Sequence, residues 1–273
     1  MKIQVFPGTT EIHSDTFAKA LGAEMTREET DADVVFFIGI NPEMKEIVEK
    51  FKAQGKKTVA YWIGTDSLIA IAKTSYRAAV PAFDKHLVVH ERIQKELTGW
   101  NVESEVLYPC ARHQGVETKI NQVCVGSYQP TPSDQDMYMY RLNCQVARNH
   151  PNLKFIFYGR LTDSYPDLPA NVDDFGRIDP DKSGSIYNHV SCIMRIVQHD
   201  GNPVGGIEAK QRGLHVIENY PYKGFLYAKS LRELDKILDD PKTHELDDSA
   251  WPNFYRTMCS GEHFKKEFIR LTS

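Results

Sequence analysis

The pattern of this chain predicts an α/β protein made of two successive halves, each with a parallel sheet, on three observations. Strand-like and helix-like stretches alternate along the whole length, which favours parallel strands covered by helices. Residues 33–38 (DVVFFI) form a nearly unbroken apolar run, as a strand buried on both faces requires. The same alternation starts afresh near Asn121, so one half follows another, joined near 112–121. With 273 residues the chain can bury two modest cores.

The elements follow in order. The first strand spans 3–6 and ends in Pro7-Gly8-Thr9-Thr10. After strand 33–38, Asn41 caps a helix and Pro42 is its first residue. Met44, Ile47, Val48 and Phe51 mark one helical face, and Gly55 closes it. Residues 57–63 return as a strand ending in Gly64-Thr65-Asp66, and strand 87–89 precedes a helix over 91–98 that Gly99 stops. In the second half, 122–126 is a strand. Ser133 with Asp136 resembles a capping box for a helix on which Met137, Tyr140, Cys144 and Ala147 share a face. Strand 153–158 ends at Gly159, and Asp179-Pro180 starts a helix. Strand 193–197 is followed by a glycine-rich loop running into a helix near Ile207, then by strand 214–217. Ser230 with Glu233 caps a helix carrying Leu231, Leu234 and Leu238. From Trp251-Pro252 the tail reads as helical, with Phe254, Phe264 and Phe268 as anchors.

Composition excludes several classes. The net charge is −4 and neither half is basic, so nothing in the bulk numbers marks a nucleic-acid binder. No apolar stretch reaches the roughly 18 residues of a membrane span, and the N-terminal run is too short for a signal peptide. Five scattered cysteines without a C-x-x-C pair fit reduced thiols, so the expected location is cytoplasmic. Residues 45–95 hold ten basic side chains against five acidic ones, which reads either as a solvated helix face or as a surface for an anionic partner.

The chemistry concentrates in His199-Asp200-Gly201-Asn202-Pro203-Val204-Gly205-Gly206-Ile207-Glu208-Ala209. An acid is followed, after seven residues, by a glutamate near a helix start. Glycines let the backbone approach a diphosphate, and helix N-terminal amides supply donors. A carboxylate in the first helical turn can accept two hydrogen bonds from ribose hydroxyls. The plainer alternative is that Glu208 complements the helix dipole and the glycines make a tight turn.

This segment resembles the E-x7-E motif of the retaining, group 1 glycosyltransferases of GT-B fold. Tyr61-Trp62-Ile63-Gly64-Thr65-Asp66 is similar to a W-x-G-T-D element at the cleft of some members, and strand 214–217 falls after an E-x-x-x-x-G turn from Glu208 to Gly213. The order of elements agrees from residue 1 to about 240. The resemblance implies two Rossmann-like αβ domains with parallel sheets facing a central cleft. They would be an acceptor-side domain, 1–117, and a donor domain, 118–250, with a C-terminal helix, 251–273, crossing back to the first domain. It implies metal-independent transfer, with retention, of a hexosyl or pentosyl group from a nucleotide-diphosphate-sugar, and no cofactor beyond that donor. Glu208 would bind the ribose, while Asp200 would face the transferred sugar. Gly201, Asn202, Gly205, Gly206, Gly126 and Ser127 would line the donor site, and Arg177-Ile178 would meet the base. Asp66 and Thr65 would lie across the cleft, with Gly8, Thr9 and His13 on the acceptor side.

Three departures stand out. Asp200 replaces the first glutamate, and Phe37-Ile38-Gly39-Ile40-Asn41 lacks the histidine many members carry. Gly126-Ser127-Tyr128-Gln129-Pro130 lacks the family's lysine, so the diphosphate needs another cation. Arg160, following strand 153–158, is the candidate, with Arg177 or Arg195 next. Asp31-Ala32-Asp33 and Asp179-Pro180-Asp181 are D-x-D pairs but read better as a strand entry and a helix cap with first-turn proline. His86 and His90 flank a strand, where a structural role fits better than a metal site. There is no G-x-G-x-x-G after the first strand, no G-x-S-x-G and no P-loop. The acceptor is open: a saccharide, a lipid-linked sugar, a small molecule or, as in a phage-type transferase, a modified DNA base. The missing lysine and histidine keep a catalytically impaired nucleotide-sugar-binding module as the alternative, and a doubly wound binder of another phosphate ligand as a third reading.

Overall fold

The computed structural model describes residues 1–8, 11–111, 118–130, 137–161, 164–178, 180–199 and 203–273. The chain divides into two compact units, chiefly Met1–Arg112 with Thr257–Ser273, and His113–His199 with Val204–Arg256. Each contains one six-stranded, fully parallel sheet.

The first sheet comprises β1 (Ile3–Pro7), β2 (Glu24–Met25), β3 (Val34–Ile38), β4 (Lys57–Trp62), β5 (Lys85–Val88) and β6 (Glu105–Val106), in the order β2-β1-β3-β4-β5-β6. All five side chains of β3 are buried, because strands flank it on both sides and helices cover both faces. The edge strands β2 and β6 have only two residues each, which leaves little unpaired backbone to template aggregation. Around them lie α1 (Glu11–Leu21), α2 (Met44–Ala53), α3 (Thr65–Ala72), α4 (Thr74–Arg77) and α5 (Glu91–Thr98). In α2 the buried residues are Met44, Val48 and Phe51, the helical spacing seen in the sequence. The helix starts two residues later than expected. Pro42 stays in the preceding turn, where the Asn41 Oδ1 accepts the Glu43 amide at 3.1 Å.

The second sheet comprises β7 (Cys124–Tyr128), β8 (Lys154–Tyr158), β9 (Val172–Asp174), β10 (Cys192–Arg195), β11 (His215–Glu218) and β12 (Leu226–Tyr227), in the order β12-β11-β10-β7-β8-β9. With β7 counted first, this is the doubly wound order 3-2-1-4-5-6, and the direction of winding reverses between β7 and β10. Its helices include α6 (Tyr140–Asn149), α7 (Val204–Gln211) and α8 (Leu231–Asp239). Ser230 Oγ accepts the Glu233 amide at 3.3 Å, and Glu233 Oε2 accepts the Lys229 amide at 2.7 Å, so α8 opens with the reciprocal cap the sequence predicts. α6 begins at Tyr140, which leaves Met137 outside it, and the Ser133–Asp136 cap lies outside the described residues. The helix expected after Asp179-Pro180 is a 3₁₀ stretch, Pro180–Asn188, and Asp179 itself is not among the described residues.

The tail forms α9 (Trp251–Met258) and α10 (Gly261–Thr272). α10 packs on the first unit. Phe264 stacks on Phe17 with ring centroids 5.0 Å apart, and Phe268 meets Phe36 edge-on at 4.6 Å. Both phenylalanines are fully buried, so the last turns of the chain complete the core begun by α1 and β3. All five cysteines are buried and unbridged.

Candidate functional site

In a doubly wound sheet, ligands bind outside the carboxyl ends of the strands where the winding reverses. In the second unit that point lies between β7, which ends at Tyr128, and β10, which ends at Arg195. Gly126 and Ser127 are buried near the end of β7. The Ser127 hydroxyl is engaged internally, accepting the Gln129 side-chain amide at 3.0 Å.

The helix after β10 is α7, and it carries Glu208. Its sequence, VGGIEAKQ, is a poor helix former, and tertiary burial holds it, since six of its eight residues are buried. Gly206 is among these, and the Gly205 carbonyl accepts the Tyr187 hydroxyl at 3.0 Å. The helix ends in a Schellman turn in which Gly213 takes φ +84°, with Leu214 N donating to Ala209 O and Gly213 N to Lys210 O. Because α7 starts at Val204, Glu208 is its fifth residue and sits beyond the first turn, contrary to the sequence expectation. The macrodipole acts mainly within the first turn, so dipole compensation does not explain this carboxylate. Glu208 is only 4% exposed, and its Oε2 accepts the Tyr187 hydroxyl at 3.0 Å.

Arg195 faces the same region. Its Nε lies 3.6 Å from Oε1 of Glu218, a fully buried carboxylate at the end of β11, and its guanidinium stands 5.8 Å from the Tyr138 ring. The Tyr158 ring lies 5.7 Å from that of Tyr128. Burial pushes the Tyr158 pKa up, the Arg195 charge pulls it down, and Tyr128 and Glu208 push it up again. Burial likewise raises Tyr128 to about 12, aided by Tyr138 and opposed by Arg195. Arg195 and two neutral phenols, Tyr128 and Tyr158, thus stand at the carboxyl ends of β10, β7 and β8, with Glu208 on the helix that follows β10. Sequence reasoning passed over Tyr158, Tyr187 and Glu218 and ranked Arg195 behind Arg160. The one available signal was the position of Arg195 and Glu218 at strand ends.

The other expected residues fall elsewhere or outside the description. Arg160 is held by Asp174, with Nε to Oδ1 at 3.3 Å and a second nitrogen to Oδ2 at 3.2 Å, at the edge of the sheet beside β9. Arg177 is exposed and Ile178 half-buried. Thr9, Asp200, Gly201 and Asn202 lie outside the described residues, as do the side chains of His13 and Thr65.

In the first unit, Gly8 follows β1 where the order of that sheet reverses between β1 and β3. A Cβ on Gly8 would come within 2.3 Å of the Gly39 carbonyl, so only glycine permits this approach. Asp66 is 6% exposed and turned into its own loop. Its carboxylate accepts the amides of Gly64 at 2.9 Å, Ser67 at 3.1 Å and Ile63 at 3.3 Å. Burial raises its pKa to about 6 against the pull of those amides. Five of the ten basic side chains of 45–95 form ion pairs. Lys45, Lys50, Lys52 and Lys85 pair with Glu49, Glu29, Asp84 and Glu105, and Arg92 pairs with Glu96. His86 Nδ1 accepts the Trp62 indole at 3.1 Å, and His90 Nδ1 accepts the Arg92 amide at 3.1 Å, which gives both histidines structural work. Asp33 accepts the Lys2 amide at 2.7 Å, as befits a residue entering a strand.

No family model matches the chain, and no curated protein matches it. Solved structures do match. A TarM variant from S. aureus, in complex with fondaparinux, alpha-GlcNAc-glycerol and UDP, aligns with a TM-score of 0.66 at 13% identity, over 88% of this chain and 55% of that one. This chain thus spans about half the length of TarM. Sucrose-phosphate synthase from Thermosynechococcus elongatus aligns with a TM-score of 0.75 at 10% identity, over 99% of this chain and 98% of that one. A putative UDP-N-acetylglucosamine 2-epimerase from Listeria monocytogenes aligns with a TM-score of 0.58 at 9% identity, over 98% and 95%. The two parallel sheets and the returning C-terminal helix define a GT-B fold. No described helix is long and apolar enough to cross a membrane.

Proposed function

We propose that this protein is a glycosyltransferase that moves a sugar, with retention, from a nucleotide-diphosphate-sugar to an acceptor. The observation that carries the proposal is the buried Glu208–Tyr187 pair on the helix that follows β10, with Arg195 at the end of β10, at the β7/β10 switch point. Glu208 accepts the ribose hydroxyls, a task for a carboxylate that its own helix dipole does not occupy. Arg195 takes the diphosphate, because a guanidinium brackets paired phosphate oxygens and stabilises the charge that develops as the glycosidic bond breaks. Arg160, the first candidate from sequence, follows the end of β8, one strand further from the switch point, is held by Asp174 and is the weaker choice. Asp200 faces the transferred sugar, and the first unit receives the acceptor. Five of the ten basic side chains of 45–95 are paired, which weakens the case for an anionic acceptor. UDP in the TarM complex makes UDP-sugars the first donors to test.

The deciding experiment incubates the protein with radiolabelled UDP-, GDP- and ADP-sugars and a panel of saccharide, lipid-linked and nucleic-acid acceptors, with and without EDTA. Labelled product that persists in EDTA is expected. Conversion of a nucleotide-sugar to its epimer without transfer would overturn the reading in favour of epimerisation, and binding without turnover would favour the impaired module. Asp200→Ala should lower turnover more than donor affinity, because its partner is the reacting sugar.

A further inference from the structure

Glu208 is met by a side chain from another element. Tyr187 lies near the end of the 3₁₀ stretch 180–188 and is 2% exposed. Its hydroxyl is 3.0 Å from Glu208 Oε2 and 3.0 Å from the Gly205 carbonyl. A phenol has one proton to give, and the carboxylate is the stronger acceptor, so the hydrogen bond goes to Glu208. Burial and the Glu208 charge keep that phenol protonated. The ring is itself fixed. The Arg212 guanidinium stands 5.2 Å from it, and the Tyr187 carbonyl accepts the Thr118 hydroxyl at 3.2 Å.

We infer that Tyr187 is a positioning residue for nucleoside recognition, holding one oxygen of Glu208 so that the carboxylate meets a ribose already oriented. The inference rests on the ribose role of Glu208 proposed above. A glutamate side chain turns about three bonds, and fixing it before the ligand arrives removes an ordering cost that would otherwise fall on binding. A carboxylate held this way discriminates between a sugar with both hydroxyls and one lacking the 2′-hydroxyl, because the deoxy ligand leaves a buried acceptor unsatisfied.

The test measures dissociation constants by calorimetry for UDP, GDP and ADP and for their 2′-deoxy analogues. Wild-type protein is expected to prefer the ribonucleotide by about tenfold or more. Tyr187→Phe removes only the hydroxyl and should cut that preference severalfold, beside the stability loss expected of a deleted buried hydrogen bond. In a Glu208→Ala background the same change should have no further effect on the preference, since coupled residues are not additive. A purely structural tyrosine would shift stability and leave the preference alone. An unchanged preference in Tyr187→Phe, or additive losses in the double variant, overturns the inference. If Tyr187→Phe does not fold, Glu208→Asp, one methylene shorter, withdraws the carboxylate from the phenol, and full preference in that variant overturns it equally. If none of the three ribonucleotides binds the wild-type protein, the reading of the site itself fails, and that outcome is distinct from the others.

Discussion

Asp66 in the first unit and Glu208 in the second are both buried carboxylates near the start of a helix, yet their surroundings give them opposite tasks. Asp66 spends its oxygens on backbone amides, those of its own strand-to-helix turn and that of Ile40. Glu208 meets a phenol 21 residues away in sequence, on a separate element. A carboxylate satisfied by neighbouring backbone shapes a loop. One held by a distant side chain is placed by the tertiary fold, which suits the ribose contact proposed for Glu208. The same contrast separates the two arginines, since Arg160 is closed in a fork with Asp174 while Arg195 sits where the winding of the sheet reverses.

The largest expected effect marks the first unit as structural where the chain returns to it. Phe264→Ala should cost about 3–5 kcal/mol in urea melts, as a fully buried ring lost from a packed core does. Nucleotide affinity, measured well below the melting range, should not change.

The next effect tests whether Asp66 belongs to shape alone. Burial holds its folded pKa at about 6, above the usual aspartate range, so the folded state holds the proton more tightly than the unfolded state. Stability from this group is therefore highest below about pH 4 and falls as pH rises toward 6, by about 2–3 kcal/mol. Urea melts between pH 4 and 7 should show Asp66→Asn losing less stability over that interval than wild type, with nucleotide affinity unaltered. A large loss of affinity would move Asp66 into the site.

Glu208→Ala should weaken nucleotide binding by about 1.5–3 kcal/mol, the range of a hydrogen bond to a charged group. Calorimetry on a variant shown to be folded by circular dichroism measures it. Arg195→Lys should cut turnover by about tenfold, near 1.4 kcal/mol at the transition state, because an ammonium cannot reproduce the fork. Arg160→Lys is the smallest effect, within about twofold. Reversed results for the two arginines, compared at saturating donor, would return the phosphate to Arg160.

Much of the local architecture was legible in residue order. The apolar run 33–38 became β3, the spacing of Met44, Val48 and Phe51 became the buried face of α2, and Ser230 with Glu233 became the cap of α8. Such signals work because periodicity and capping are satisfied within a few residues. The short edge strands β2, β6, β9 and β12 went unread because two or three residues carry no periodicity. The motif singled out Glu208, but its burial and its place in the second turn of α7 were not legible.

What the sequence determined by itself was therefore the kind and order of elements and two rounds of parallel α/β winding. The tertiary structure decided which strand ends stand together. Arg160 and Arg195 both follow buried strands, and nothing local separates them. The order β12-β11-β10-β7-β8-β9 puts the end of β10 at the switch point and that of β8 one strand further toward the edge. Tyr187 was hidden for the same reason, because the phenol reaches Glu208 only after β10 and α7 have packed beside the 180–188 stretch. Contacts of that kind are fixed by burial across the whole sheet, which no window along the chain contains.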